Sequence, residues 1–558
     1  MLDQAHNTQL SATGQLIRDP DWWRGAVIYQ IYPRSFQDSN GDGVGDLAGI
    51  TRRLDHVASL GVDAVWLSPF FTSPMKDFGY DVANYRDVDP IFGTLADFDA
   101  LLERAHALGL KVIIDQVISH SSDKHPWFEE SRQSRDNPKA DWYVWADPKE
   151  DGTPPNNWLS VFSGPAWRWN SRRRQYYLHN FLIEQPDLNF HNPDVRSALL
   201  GEMRFWLERG VDGFRLDTAN FYFHDAELKD NPPLPEEMRS EVYTPRSDAY
   251  NYQHHVHDRN RPENLDFLTE MRSVLDEYGA VAVGEIGERT TGIELMGEYT
   301  SGGDKLQMCY AFEFLSGGIP APETIRNVIE RFENAGPDGW ACWAFSNHDV
   351  VRHASRWADG AADPEQVLKL AAAILMTLRG SVCIYQGEEL GLTEAEIPYD
   401  QMVDPSGIAL WPDVKTRDGC RTPMVWVSDN RNGGFSDGDP WLPVPGEHLA
   451  LGVAAAEDDP DSLLAFYRRL IAYRKSSPSL VTGTLTFLDA EPGILAMLRE
   501  GEGERSLCVF NLGDTPASFT VPEGMAVTEQ TFDLLGGLLD GDRVRLAAHD
   551  GFIARVTR

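Results

Sequence analysis

Cysteine is scarce and unpatterned in this chain. Cys309, Cys342, Cys383, Cys420 and Cys508 stand far apart, without a CxxC pair, and their number is odd. That excludes a disulfide framework and a zinc site, and reads as mostly buried free thiols in a reducing compartment. Long apolar runs are missing too: none approaches 18 uninterrupted residues, so no membrane span is expected. The opening Met-Leu-Asp-Gln-Ala-His-Asn-Thr-Gln carries acid and amide groups where a secretion signal needs a basic flank and an apolar stretch. Basic residues are outnumbered, with 50 Lys and Arg against 86 Asp and Glu, a formal charge of −36. Such a field repels polyphosphates and anionic membranes and favours neutral or cationic partners. A cytoplasmic protein is expected, with neither nucleic acid nor membrane among its partners.

What the chain does have is length and apolar content. Its 558 residues exceed one ordinary core, and 42% hydrophobic with 11% aromatic residues suffice for packed interiors. Two or three domains are expected, although a single barrel can take over 400 residues with insertions.

A polar leader to about residue 21 precedes Trp22, Trp23 and the β-rich run Ala26-Val-Ile-Tyr-Gln-Ile-Tyr-Pro33. Strand-like and helix-like segments then alternate. Helical spacing joins Leu47, Ile50, Leu54, Val57 and Leu60, and recurs over 95–108; Asp63 to Leu67 and Lys111 to Asp115 read as short strands. Residues 119–190, rich in Trp, Asn, Pro, Asp and Tyr, break the alternation and read as an inserted subdomain. It resumes with a helix capped by Asn192 and Pro193, a strand near 211, a polar excursion to about 260 and a helix near 263–276. Strands at 280–285, 307–314, 340–345 and 381–385 follow. Eight strands, near 26, 63, 111, 211, 280, 307, 340 and 381, each followed by a helix, predict an α/β fold, a (β/α)8 TIM barrel. The expected division is barrel over 1–118 and 191–477, an inserted B subdomain over 119–190, and a C-terminal β-sandwich domain over 478–558. A long insertion at 390–450 precedes the last barrel helix.

Between the first strand and helix stands Asp38-Ser-Asn-Gly-Asp-Gly-Val-Gly-Asp46. Asp38, Asn40, Asp42, the Val44 carbonyl and Asp46 occupy the ligand positions of an EF-hand-type loop, with Gly43 at the turn. Gly49 replaces the closing Glu, and strand and helix replace the two helices. The expectation is a structural Ca2+ or Mg2+ site without a part in chemistry; the alternative is a turn that uses Asp, Asn and Gly for its backbone alone.

Barrel enzymes carry their chemistry at the C-terminal ends of the strands. Those ends supply Asp115 and His120, Arg215 and Asp217, Glu285, and His348 and Asp349. No Ser-His-Asp order, Gly-rich phosphate loop or His/Cys metal cluster competes with them. In a strand, Arg215 and Asp217 share a face, so the cation should favour the ionised acid. Glu285 ends an apolar strand with no adjacent cation, which suits a raised pKa. One ionised and one protonated carboxyl are the equipment of retaining glycoside hydrolysis, with Asp349 as a third acid. Taken singly, each has a bland alternative as a strand-end ion pair.

Val65-Trp-Leu-Ser-Pro69, Asp115 to His120, Gly213-Phe-Arg-Leu-Asp217, Gly284-Glu285 and Phe345-Ser-Asn-His-Asp349 resemble, in order and spacing, the signature regions of glycoside hydrolase family 13, the α-amylase family. Gln185-Pro-Asp-Leu-Asn189 and Arg417-Asp-Gly-Cys-Arg-Thr-Pro-Met424 resemble its oligo-1,6-glucosidase and α-glucosidase branch. The resemblance implies Asp217 as nucleophile, Glu285 as acid/base and Asp349 as transition-state stabiliser. It places Arg215, His120 and His348 around the first glucose, Asp77 and Tyr80 at the terminal sugar, and Arg417 as the partner that closes that end. Phe162 and Phe181 line the same pocket or belong to the subdomain core. Ser119 departs from the Asn that binds calcium in many α-amylases. Thr218 stands where the α-1,6-specific branch tends to have Val, which suggests α-1,4 or short activated α-glucosides. The implied activity is an exo-acting α-glucosidase. Its substrates are small neutral α-glucosides, with water or an alcohol as acceptor, and the chain is a monomer or homodimer. A family glucosyltransferase or isomerase, and a non-catalytic binding subunit, are the rivals.

Overall fold

The computed structural model describes residues 19–239, 248–288, 290–532 and 535–557, with two further short strands at Gln9–Leu10 and Leu16–Ile17. Most of the expected polar leader therefore lies outside the described residues. Eight parallel strands form the centre: β1 (Val27–Ile31), β2 (Ala64–Leu67), β3 (Lys111–Gln116), β4 (Gly213–Leu216), β5 (Val281–Glu285), β6 (Met308–Tyr310), β7 (Cys342–Trp343) and β8 (Ser381–Tyr385). Their hydrogen-bonded order runs β6-β5-β4-β3-β2-β1-β8-β7. A parallel bridge from Cys309 to Ala341 joins the two ends, so the sheet closes into a barrel.

Each strand is followed by a helix: α1 (Leu47–Ser59), α2 (Leu95–Ala107), α3 (Pro193–Arg209), α4 (Asn264–Tyr278), α5 (Gly292–Thr300), α6 (Pro322–Ala335), α7 (Pro364–Thr377) and α8 (Leu463–Ser476). Their starts obey local chemistry. Asp46 caps α1 by accepting the Gly49 N–H, Thr94 and Asp97 form a reciprocal capping box on α2, and Asn192 with Pro193 opens α3. Every residue of β1, β2, β4, β5 and β8 is buried, as a sheet covered by helices requires. Because side chains alternate, Ile28, Trp66, Ile113, Val283 and Met308 pack together inside the barrel, and the alternate set meets the helices.

Two of the strands are shorter than their apolar runs. The reading of 307–314 shrinks to Met308–Tyr310, and that of 340–345 to Cys342–Trp343. Beyond them Phe314, Leu315, Ala344 and Phe345 are buried as loop, with Phe314 against Trp343 and Phe345. Burial, which hydropathy reports, extends further than pairing. All five cysteines are buried and free, and among the described residues no helix is long and apolar enough to cross a membrane.

The β3–α3 connection carries a three-stranded antiparallel sheet, with Gln175–Leu178 between Trp145–Ala146 and Trp167–Asn170. A small core of Val144, Trp158, Trp167 and Leu178 holds it. Beyond α8, a five-stranded and a three-stranded antiparallel sheet enclose Leu507, Val509, Phe519, Val544 and Phe552. The connection from β8 to α8 is largely irregular, with short 3-10 turns and two short helices, Pro405–Ala409 and Val453–Asp458, which hydrophobic periodicity does not reveal.

Candidate active site

The strand ends converge on one cation. Arg215, 1% exposed at the end of β4, donates from Nη1 to Asp115 at 2.9 Å and to Asp217 at 2.8 Å. Its Nη2 lies 2.6 Å from Glu285, and the Tyr310 hydroxyl accepts from Nη2 at 2.9 Å. The expectation that Glu285 has no adjacent cation is therefore corrected: β4 and β5 are paired neighbours, with Arg215 opposite Val283, so a side chain inside the barrel reaches both.

The expected depression of Asp217 is corrected as well. Burial outweighs Arg215 and pushes Asp217 up to about 7. Burial likewise lifts Glu285 to about 7 and Asp115 to about 6, each opposed by Arg215. One guanidinium cannot neutralise three buried carboxylates, so Asp217 and Glu285 are both pushed toward holding their protons.

Thr218 touches both acids. Its N–H donates to Glu285 Oε2 at 3.0 Å, and its hydroxyl stands 3.3 Å from Asp217 Oδ2 and 3.0 Å from Ser119 Oγ. Its φ of +40° is rarely adopted by a β-branched residue, a local strain at the residue after Asp217. Ser119 continues to His120 Nδ1 at 2.9 Å. His120 Nε2 lies 3.0 Å from the Tyr80 carbonyl and 3.1 Å from the Gln185 amide. Burial pulls His120 down to about 4, so the ring is neutral.

Asp349 has different company. Arg421 Nη2 at 2.8 Å and Arg417 Nη1 at 3.2 Å both reach its Oδ1. Burial works to raise its pKa but is overcome, and Asp349 stays well below the usual carboxylate range. The fully buried His348, itself held neutral by burial, adds a contact to Asp349 at 3.1 Å, so the two arginines supply the charge. Arg417 also reaches Asp77 at 2.9 Å and Asp404 at 2.7 Å, and its guanidinium lies 5.2 Å from the centre of the Phe162 ring.

These groups surround a cavity of about 640 Å3 whose walls include Asp77, Tyr80, His120, Phe162, Phe181, Asp217, Thr218, Glu285, Asp349 and Arg417. Phe162 and Phe181 thus face the pocket. Arg215 and His348 are not among its walls. Arg215 lies beneath the carboxylates, and His348 lies behind Tyr80, stacked on its ring at 5.5 Å.

Residues 30–483 match the description of an alpha amylase catalytic domain. The chain belongs to the α-amylase family. It is 59% identical over 551 residues to a probable alpha-glucosidase of Rhizobium meliloti (strain 1021), covering 98% of this chain and all of that protein. With an oligo-1,6-glucosidase of Heyndrickxia coagulans it shares 39% over 540 residues, 90% of this chain and 94% of the other. A crystal structure of an alpha-glucosyl transfer enzyme, XgtA, superposes with a TM-score of 0.92 at 52% identity, covering 96% of this chain and 99% of that one. This α-amylase-family chain is a glycoside hydrolase.

Asp404, Arg421, Tyr310 and Gln185 also belong to the site, and sequence reasoning gave them no role. Tyr310 was within reach, since it sits two residues beyond Met308 on the inner face of β6. Arg421 and Gln185 stand inside the motifs quoted above. Asp404 lies in the aperiodic stretch between β8 and α8, where no signal points to it.

The loop at 38–46 is strongly braced. Asp38 accepts N–H groups of Asn40, Gly41 and Gly43; Asn40 accepts from Asp42, Asp42 from Val44, and Asp46 from Ser39. Asp38 and Asp46 are buried. The donor set, three carboxylates, an amide oxygen and a carbonyl, is the hard-oxygen chemistry of Ca2+ or Mg2+. Among the described residues, however, no group of three or more His, Cys, Asp or Glu side chains is assembled to hold a metal ion. The turn reading is the one visible in the hydrogen bonds.

Proposed function

We propose that the enzyme is an exo-acting, retaining α-glucosidase that removes terminal glucose from short α-glucosides. One observation carries this: two buried carboxyls, Asp217 and Glu285, share Arg215 and Thr218 in a cavity with a salt-bridged end at Arg417. Asp217 attacks the anomeric carbon as Glu285 gives its proton to the departing oxygen, and the bond to the aglycone breaks. A covalent β-glucosyl ester results. Glu285 then takes a proton from water, the water oxygen bonds to the anomeric carbon, and the ester bond to Asp217 breaks, so configuration is retained. Asp349, kept ionised, suits the stabilisation of positive charge at the sugar ring. Thr218 supports α-1,4 over α-1,6 preference. The oxygens of Asp38, Asn40, Asp42, Val44 and Asp46 have the chemistry to hold a small divalent cation, which would serve stability alone.

Asp217→Asn should abolish turnover in a folded protein; normal activity in it sinks the assignment. Chromatography of products from maltose, isomaltose, sucrose and a nitrophenyl α-glucoside tests the rest, and internal cuts in starch would refute a closed pocket. The likeness to an alpha-glucosyl transfer enzyme supports a second reading, in which an alcohol replaces water at the second step. Alkyl glucoside formed from maltose and added alcohol distinguishes it.

A further inference from the structure

An arginine is a long, flexible side chain, and a single ion pair leaves its guanidinium free to pivot. Arg417 is fixed far more firmly. Asp404, 1% exposed, accepts Arg417 Nη2 at 2.7 Å and Nε at 3.1 Å on Oδ1, and the main-chain N–H of Arg417 at 2.9 Å on Oδ2. One carboxylate therefore grips both the tip and the root of the same residue. Asp404 is anchored in turn. It accepts the N–H groups of Ser406 and Gly407 at 3.2 Å each, and its own N–H donates to Asp418 at 3.2 Å. The two backbone segments are pressed together, since a Cβ on Gly407 would lie 2.4 Å from the Thr416 Cβ. From the opposite side, Asp77 on the β2–α2 connection and Asp349 beyond β7 hold the guanidinium across the cavity.

We propose that Asp404 is a positioning residue that sets chain-length specificity: by clamping Arg417 against Asp77 and Asp349, it keeps the blind end of the pocket shut beyond the first sugar. This builds on the closed-pocket reading above. Asp404 touches no reacting atom and acts through Arg417. Burial works to raise its pKa, but the Arg417 contacts prevail and keep it ionised. Asp404→Asn preserves size and an amide oxygen for the turn but loses the charge, so Arg417 can swing aside and admit a second sugar at that end.

The test uses maltose and maltotetraose with the full chain. Relative to native enzyme, Asp404→Asn should raise KM for maltose about tenfold with kcat within about threefold. It should also release maltose from the non-reducing end of maltotetraose, where the native enzyme releases glucose. Arg417→Ala should release maltose likewise, with a larger fall in kcat because Asp349 also loses a cation, and the double variant should be no worse than Arg417→Ala alone, because both changes remove one device. Native KM and glucose-only release in Asp404→Asn would overturn the proposal, as would additive losses in the double variant. If Asp404→Asn does not fold, the test moves to Asp404→Glu, which keeps the charge one methylene out of place: the same split in KM supports the clamp and a native product pattern overturns it. Release of maltose by the native enzyme would instead fault the closed-pocket reading itself.

Discussion

At the scale of single residues, the decisive feature is that burial, and not the neighbouring arginine, dominates the two central carboxyls. Asp217 and Glu285 both rise to about 7. In the proposed mechanism Asp217 acts ionised, so kcat/KM falls as pH drops below about 7; Glu285 acts protonated, so it falls as pH climbs above about 7. A bell-shaped profile centred near neutrality is expected. The same shifts bear on stability. Both folded values exceed the unfolded ones, so between about pH 4 and 7 the native state holds more protons and stability declines as pH rises. Asp217→Asn removes one of the strained acids and should melt higher than native at pH 8, by a few degrees, with the gap closing toward pH 4. Calorimetry at both pH values checks this; a variant melting lower at pH 8 contradicts it. Strand periodicity made Arg215 and Asp217 legible as a pair. It could not show that Asp115 and Glu285, from neighbouring strands, share the same guanidinium.

At the scale of elements, the loop at 38–46 links two parts of the fold. Asp46 caps α1, while Asp38 accepts the Ser436 hydroxyl and donates its N–H to the Phe435 carbonyl. The loop thus pins the β8–α8 connection, which also carries Asp404 and Arg417, against the barrel. A cation that tightens this loop stabilises that junction without touching substrate. Chelation should therefore lower the melting temperature by several degrees, roughly 1–3 kcal/mol of bound-ion linkage, with kcat at 25 °C unchanged. Asp42→Asn should lose the sensitivity to chelator. Identical melting with and without chelator, and no bound metal by elemental analysis, count against the cation. The eight barrel strands were readable because each is a short apolar run followed by a helical period. The β8–α8 connection was not, since its turns have no period and its contacts are made only after the barrel closes.

At the scale of the whole molecule, the charge of −36 and the cavity have the same sign. The walls carry Asp77, Asp217, Asp248, Glu285, Glu288, Asp349 and Asp404 against Arg259, Lys415 and Arg417. A neutral glucoside feels little of this field, whereas an anionic one is repelled over a distance that salt controls, about 30 Å at 0.01 M and about 3 Å at 1 M. Raising NaCl from low to high should leave kcat/KM for nitrophenyl α-glucoside flat within about twofold. Its 6-phosphate should react at least about tenfold more slowly at low salt and recover in part as salt rises. Each cation in the walls is already committed: Arg417 to Asp77, Asp349 and Asp404, Arg259 to Glu288, and Lys415 to Glu396. Binding a phosphate would therefore mean breaking one of these pairs. Equal rates for the neutral and phosphorylated substrates at low salt would show that the field does not govern access, and that an anion finds a partner in the pocket.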